Sequence, residues 1–86
     1  MDRPEMRAEL RKLLVTVNED LEGKVEDLQD DAQLRDTLGL DSLQVTELLF
    51  EIEEKFGAKI EDEEAMQLRT FGDVLDLIAA KTSEQG

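Results

Sequence analysis

Apolar residues recur every three or four positions in three stretches of this chain, and no other feature restricts the fold as strongly. The first stretch predicts a helix over about residues 4–18, and Pro4 suits its first turn, where no N–H is needed. The second predicts a helix from Ser42 to Phe56, and Gly57 can end it in the left-handed conformation. The residues that this second helix would turn toward the core are Val45, Leu48, Leu49, Ile52 and Phe56.

The third stretch begins at a capping pattern. Thr70 and Asp73 resemble a capping box, and apolar residues follow at helical spacing. A short helix is predicted within residues 61–68. Residues 19–41 have no regular period and predict a long loop that lies against the helices, with a short helical turn near 31–36. The predicted fold class is all-α: a small bundle of three main helices plus one short helix, with a long loop after the first helix.

Length and charge restrict both the domain organisation and the partners. The 86 residues fit a single domain, 1–86, with a helical core over about 4–81 and a flexible tail at 82–86. The formal net charge is −13, from 23 acidic and 10 basic side chains. Such a surface repels nucleic acid and acidic membranes, and it attracts basic patches on partner proteins.

The missing residue types restrict the chemistry. The chain has no Cys and no His, which removes the usual nucleophile–base pairs and the commonest metal ligands, so we expect no catalytic site and no metal site. The amino terminus has no apolar signal segment, and no apolar run is long enough to span a bilayer. We therefore expect a cytoplasmic monomer without membrane contact.

Ser42 lies where the long loop meets the second predicted helix, in the run Gly39-Leu40-Asp41-Ser42-Leu43. One interpretation is that Asp41-Ser42 only caps the helix. The other is that the exposed hydroxyl is modified by another enzyme, and that the helix N-terminus favours a phosphate on it. The dipeptide alone favours the cap, and the two interpretations are compatible. The run is not a G-x-S-x-G nucleophile elbow, and no His is present to activate the serine.

The face of the second helix opposite the core mixes apolar and acidic side chains. Its members are Leu43, Glu47, Phe50 and Glu54, with Thr46 and Glu51 at the edges. One interpretation is a docking surface, with carboxylates that steer a basic partner and two apolar anchors. The other is that single exposed hydrophobic residues are ordinary and that Phe50 tucks under the long loop. The residues by themselves do not decide between them.

Several short motifs follow one another in a fixed order. They are Leu38-Gly39-Leu40-Asp41-Ser42-Leu43, Glu47-Leu48-Leu49, Glu53-Glu54-Lys55-Phe56-Gly57, Ile60, Asp62-Glu63-Glu64-Ala65, and Thr70-Phe71 with Val74 and Ile78. By this set the chain resembles an acyl carrier protein of the fatty-acid and polyketide type, from about Glu5 to Lys81. The resemblance implies a non-catalytic carrier that delivers acyl intermediates to fatty-acid synthesis enzymes.

The resemblance also implies the cofactor and the partners. A phosphopantetheinyl transferase would attach 4′-phosphopantetheine from coenzyme A to Ser42, and Asp41 would contact that transferase. The arm's thiol would hold acyl groups as thioesters, sheltered by an aliphatic interior. Acyl-processing enzymes such as ketosynthase, acyltransferase and ketoreductase would bind through basic patches. The residues predicted to meet them are Leu43, Glu47, Phe50, Glu53 and Glu54.

Three departures from the family pattern keep other pathways open. Val45-Thr46 reverses the Thr-Val order that is usual in the family, Glu61 stands where a Pro is common, and Phe50 stands where a Met is frequent. A specialised carrier in a polyketide or modified-lipid pathway is therefore an alternative. An aminoacyl cargo ranks lower, because Asp41 stands where such carriers more often have His or a second Gly.

A calcium-binding or adaptor domain is a further alternative, motivated by the acidic runs at 26–31 and 61–64. Neither run has the alternating ligands and central Gly of an EF-hand loop. Weak magnesium binding that relieves charge repulsion is expected instead.

Overall fold

Helices make up most of the chain in a computed structural model, which describes residues 2–85 and the side chains of residues 2–82. The four α-helices are α1 (Arg3–Val17), α2 (Ser42–Phe56), α3 (Asp62–Met66) and α4 (Phe71–Gln85), and a short 3-10 helix occupies Glu19–Leu21. The predicted all-α class, with three long helices and one short helix, is confirmed. None of the helices in the described part is long and apolar enough to cross a membrane.

Capping groups explain where the helices begin and end. The Asp2 carboxylate accepts a hydrogen bond from the Glu5 N–H at 2.9 Å, so α1 begins one residue before its predicted start. Gly57 ends α2 with a φ of +64°, as predicted. Thr70 and Asp73 form the predicted capping box, since each side chain accepts from the other's N–H at 3.1 Å.

The core lies between α1, α2 and α4. The fully buried side chains of largest volume are Phe71, Leu10, Leu14, Leu48, Ile52, Leu75, Ile78 and Val74. On α2, Leu48, Ile52 and Phe56 are buried as predicted. Val45 and Leu49 are only half-buried, because they pack at the edge of this core. The interior is therefore aliphatic apart from Met6 and two phenylalanines.

The long loop between α1 and α2 is packed against the helices. Its buried residues are Leu21, Val25, Ala32, Leu34, Leu38 and Leu40. Three backbone hydrogen bonds join it to the start of α4: Phe71 N–H to Ala32 O at 2.8 Å, Gly72 N–H to Asp30 O at 2.8 Å, and Leu34 N–H to Arg69 O at 2.9 Å. The first N–H groups of α4 thus find acceptors in the loop.

Ion pairs hold the same part of the loop to α1 and α4. Arg7 Nη1 lies 2.6 Å from Asp30 Oδ1, and Arg3 contacts both Asp30 and Asp76. The hydrogen bond from Arg7 is the main reason why the pKa of Asp30 lies below its usual value. The Arg7 guanidinium also lies over the Phe71 ring, 5.6 Å from its centre.

Two local expectations differ from the structure. The predicted helical turn at 31–36 is a single turn over 33–39, where the N–H groups of Thr37 and Leu38 both donate to Gln33 O. The 3-10 helix at Glu19–Leu21 was not predicted. The tail predicted to be flexible at 82–86 belongs to α4 as far as Gln85, and its flexibility stays a prediction.

Candidate functional site

Two buried leucines hold the segment before Ser42 in place. Leu38 and Leu40 are both buried, and exposed Gly39 between them has a φ of +71°. The Leu40 N–H donates to Leu34 O at 3.0 Å, and the Gly39 N–H donates to Arg35 O at 2.9 Å. Because the chain is anchored on both sides of this glycine, Ser42 is held at the protein surface.

Asp41, and not Ser42, provides the side-chain cap of α2. The Gln44 N–H donates to Asp41 Oδ1 at 2.8 Å, and the Asp41 N–H donates to Gln44 Oε1 at 3.2 Å. This reciprocal pair is a capping box. The hydroxyl of Ser42 is exposed and takes no part in it. Asp41 therefore caps the helix, while Ser42 presents its hydroxyl at the surface.

Arg35 contacts the Ser42 hydroxyl, which sequence reasoning missed. Its Nη2 donates to Ser42 Oγ at 3.0 Å. The turn over 33–39 brings the two side chains together, although they are seven positions apart. Arg35 forms no ion pair with any carboxylate in the described residues. The sequence held no signal for this contact, because it depends on the turn over 33–39 and not on a periodic pattern.

An open groove of about 640 Å³ lies beside this pair of residues. It is lined by Gln33, Leu34, Arg35, Asp36, Val45, Ala65, Met66, Leu68, Arg69 and Thr70. Of the aliphatic residues expected to shelter an acyl chain, only Val45 lines it. Leu48 and Ile52 are fully buried in the core between the helices. This groove therefore lies between the long loop, the start of α2 and α3.

Helix α3, which forms one wall of the groove, is tied to α4 by an ion pair. Lys81 Nζ lies 2.8 Å from Glu64 Oε1, and this contact is the main reason why the pKa of Glu64 lies below its usual value. The Glu61 N–H donates to the same carboxylate at 3.0 Å. Met66, the last residue of α3, is among the large exposed hydrophobic residues.

Most of the residues predicted to contact partners are exposed on α2. Leu43 is 67% exposed and Phe50 is 63% exposed, so Phe50 does not tuck under the loop. Glu47 and Glu54 are exposed beside them. Glu53 differs, because it is half-buried and its Oε2 accepts from the Ile60 N–H at 2.9 Å. Four of the five predicted residues therefore share one face, and the fifth supports the segment after α2.

Comparison with known proteins identifies the family. The family model described as a phosphopantetheine attachment site matches residues 11–78, which is most of the chain. The chain belongs to the acyl carrier protein family. The fold agrees with the hexanoyl acyl carrier protein of the actinorhodin polyketide synthase from Streptomyces coelicolor, with a TM-score of 0.78 and 29% identity over 90% of each chain.

Two further acyl carrier proteins have the same fold. The protein from Thermotoga maritima has a TM-score of 0.74 and 29% identity, covering 94% of this chain and 95% of its own. The protein from Enterococcus faecalis has a TM-score of 0.71 and 30% identity, covering 94% and 99%. The predictions of the family, of its fold and of a non-catalytic carrier are thus confirmed.

Membership also establishes the cofactor and the general class of partner. The domain is the site of covalent 4′-phosphopantetheine attachment, and it interacts with phosphopantetheinyl transferase and with acyl-processing enzymes. The residues present fit such a group. Ser42 offers an exposed hydroxyl, Arg35 offers a positive charge 3.0 Å from it, and the groove beside them has apolar walls. No group of three or more acidic side chains in the described part of the chain converges to hold a metal ion.

Proposed function

We propose that Ser42 carries the phosphopantetheine arm and that the protein delivers acyl intermediates to enzymes of fatty-acid synthesis. The observation that carries the proposal is the exposed Ser42 Oγ, which stands at the first residue of α2 and is free of the capping box. When bound, the arm supplies a thiol that holds acyl groups as thioesters. The chain itself has no cysteine that could do so.

Asp41 has two roles in this proposal. Its carboxylate fixes the start of α2, which sets the position of Ser42 relative to the turn over 33–39. It also stands exposed beside the serine, where a transferase must approach, and we propose that it contacts that enzyme. Asp41→Ala would therefore lose both the cap and the contact.

The exposed face of α2 supplies partner recognition. Leu43 and Phe50 are apolar anchors at exposed positions, and Glu47 and Glu54 steer basic patches toward them. Partner enzymes such as ketosynthase, acyltransferase and ketoreductase would meet this face. Glu53 stays a predicted contact, although its carboxylate already accepts a hydrogen bond from the Ile60 N–H. A monomeric state and a cytoplasmic location also stay predictions.

Enzymatic loading followed by intact-mass measurement tests the attachment residue. The protein is incubated with coenzyme A, Mg²⁺ and a promiscuous phosphopantetheinyl transferase. We expect the wild type to gain the mass of one phosphopantetheine group and Ser42→Ala to gain none. The matched control is Ser83→Ala, which removes the only other serine of the chain and should leave the mass gain unchanged. A mass gain that survives in Ser42→Ala would contradict the proposal.

A carrier in a polyketide or modified-lipid pathway is the second candidate, and the lining of the groove favours it. Gln33, Asp36 and Thr70 line the groove together with its apolar walls, which suits an acyl chain that carries oxygen atoms. Mass spectrometry of the protein purified from its own source, with its cargo attached, separates the two candidates. A saturated chain supports fatty-acid synthesis, and a chain that retains keto groups at several positions supports the second pathway.

A further inference from the structure

Arg35 has a charge that the structure leaves without an anionic partner. Its guanidinium donates to a neutral hydroxyl, Ser42 Oγ, at 3.0 Å and forms no ion pair in the described part of the chain. By contrast, Arg3 and Arg7 both pair with carboxylates. In a chain of net charge −13, an arginine held beside an exposed hydroxyl is a binding position for an anion placed on that hydroxyl.

The backbone of Arg35 is fixed, so its position does not depend on a mobile loop. Leu34 and Leu38 are buried on either side of it. The Arg35 carbonyl accepts from the Gly39 N–H at 2.9 Å, within the turn over 33–39. The Leu34 N–H in turn donates to Arg69 O at 2.9 Å, which joins the turn to the start of α4. The guanidinium therefore reaches Ser42 from one defined side, which is the side of the groove that Arg35 itself lines.

We propose that Arg35 binds the phosphodiester of the arm and directs the root of the arm toward the groove lined by Val45, Met66 and Leu68. This inference rests on the proposed attachment at Ser42. Once Oγ is esterified it becomes a bridging oxygen and a weaker acceptor, while the non-bridging phosphate oxygens carry the negative charge. A guanidinium within hydrogen-bond distance of Oγ is then placed to donate to those oxygens, and arginine matches phosphate geometry with two parallel N–H groups.

The first turn of α2 offers further N–H donors to the same phosphate. The N–H groups of Ser42 and Leu43 donate to no acceptor among the described residues, because N–H groups in the first turn of a helix have no intrahelical acceptor and the capping box satisfies only that of Gln44. These two groups lie at the positive end of a 15-residue helix. Arg35 differs from them because it lines the groove, whereas they stand at the end of the helix. It therefore decides in which direction the arm leaves the surface.

The test compares apo and holo forms of four proteins: the wild type, Arg35→Gln, Arg35→Lys and Arg69→Gln. Arg69 is the matched control, since it lines the same groove, is exposed and has no ion pair in the described residues, but makes no contact with Ser42. Each protein is loaded with an excess of transferase, and its intact mass is measured first. The melting temperature of each form is then determined at low ionic strength, and the ³¹P chemical shift of each holo form is recorded.

We expect loading to raise the melting temperature of the wild type and of Arg69→Gln by about 2–6 °C. This is the shift expected when one exposed charge-assisted hydrogen bond stabilises a domain of this size. In Arg35→Gln the rise should be absent or reversed, and the ³¹P shift should differ from that of the wild type. Arg35→Lys, which keeps the charge without the forked geometry, should give an intermediate rise.

The failure of this inference is distinguishable from failure of the attachment residue. If the wild type gains no mass, or Ser42→Ala gains it equally, the proposed attachment is wrong. If all four proteins gain the mass but Arg35→Gln shows the same temperature rise and the same ³¹P shift as Arg69→Gln, only the role of Arg35 is overturned.

Discussion

Substituting Gly72 tests how the long loop is held against α4. A Cβ added at this position would lie 2.9 Å from the Asp30 carbonyl oxygen and 3.0 Å from the Asp30 Cβ. The Gly72 N–H donates to that same oxygen at 2.8 Å. The loop therefore cannot move away from a new methyl group without stretching this hydrogen bond. The neighbouring bond from the Phe71 N–H to Ala32 O at 2.8 Å would be disturbed as well.

Two opposing effects set the magnitude for Gly72→Ala. Replacing glycine by alanine in a helix stabilises a protein by about 0.5–1 kcal/mol. Overpacking a close-packed site costs about 1–3 kcal/mol, and weakening one hydrogen bond costs about 1 kcal/mol. The close contact outweighs the helix propensity, so the free energy of unfolding should fall by about 1–3 kcal/mol. For a domain of this size, each 1 kcal/mol lowers the melting temperature by about 4–8 °C.

Thermal unfolding followed by circular dichroism is the suitable assay, because the chain has no Trp or Tyr for fluorescence. The matched control is Ala8→Gly, an exposed position inside α1, which makes the reverse substitution where no close contact is involved. Helix propensity alone should make Ala8→Gly less stable by about 1 kcal/mol. If Gly72→Ala melts above the wild type, only propensity acts at this position and the packing argument is refuted.

The remaining predictions concern the partner face, pH and salt. Phe50→Ala should change the free energy of unfolding by less than about 0.5 kcal/mol because the ring is exposed. It should nevertheless weaken binding to a partner enzyme, measured by calorimetry. Leu48→Ala, at a fully buried position of the same helix, should instead lower the free energy of unfolding by about 2–5 kcal/mol. Asp30 has a folded-state pKa lowered mainly by Arg7, so its contribution to stability is present above its unfolded-state pKa and is lost as pH falls through the folded-state value. Asp30→Asn should therefore melt below the wild type at neutral pH, with the two melting curves converging in acid; a constant gap would contradict this origin. Because the net charge is −13, magnesium that binds weakly to the acidic surface should relieve charge repulsion, so MgCl₂ added at low ionic strength should raise the melting temperature, and the absence of any shift would contradict this expectation.

The helices could be predicted because their signals are local. The bounds of α2 follow from a cap at one end and Gly57 at the other, and α4 begins at the capping box formed by Thr70 and Asp73. Periodicity also gave the core face of α2. Periodicity could not predict how deeply each residue of that face is buried, because the half-burial of Val45 and Leu49 depends on which elements pack over the edge of the face.

The contacts that could not be predicted from the sequence are those between residues that turns and loops bring together. Arg35 meets Ser42 only because the turn over 33–39 reverses the chain, and no periodic pattern encodes that turn. The approach of Gly72 to Asp30 depends in the same way on how the loop crosses α4. Glu53 matched a family position for partner contact, but its hydrogen bond to the Ile60 N–H depends on the path of the chain after α2.

Fragment-ion mass spectrometry of the loaded protein tests the central claim most directly. The holo protein is digested, and the peptide that contains Ser42 is fragmented to locate the modified residue. We predict that the phosphopantetheine group is found on Ser42 and on no other residue. An unmodified Ser42 peptide in a protein that has gained the mass, or a group located on Ser83 or on a threonine, would contradict the account.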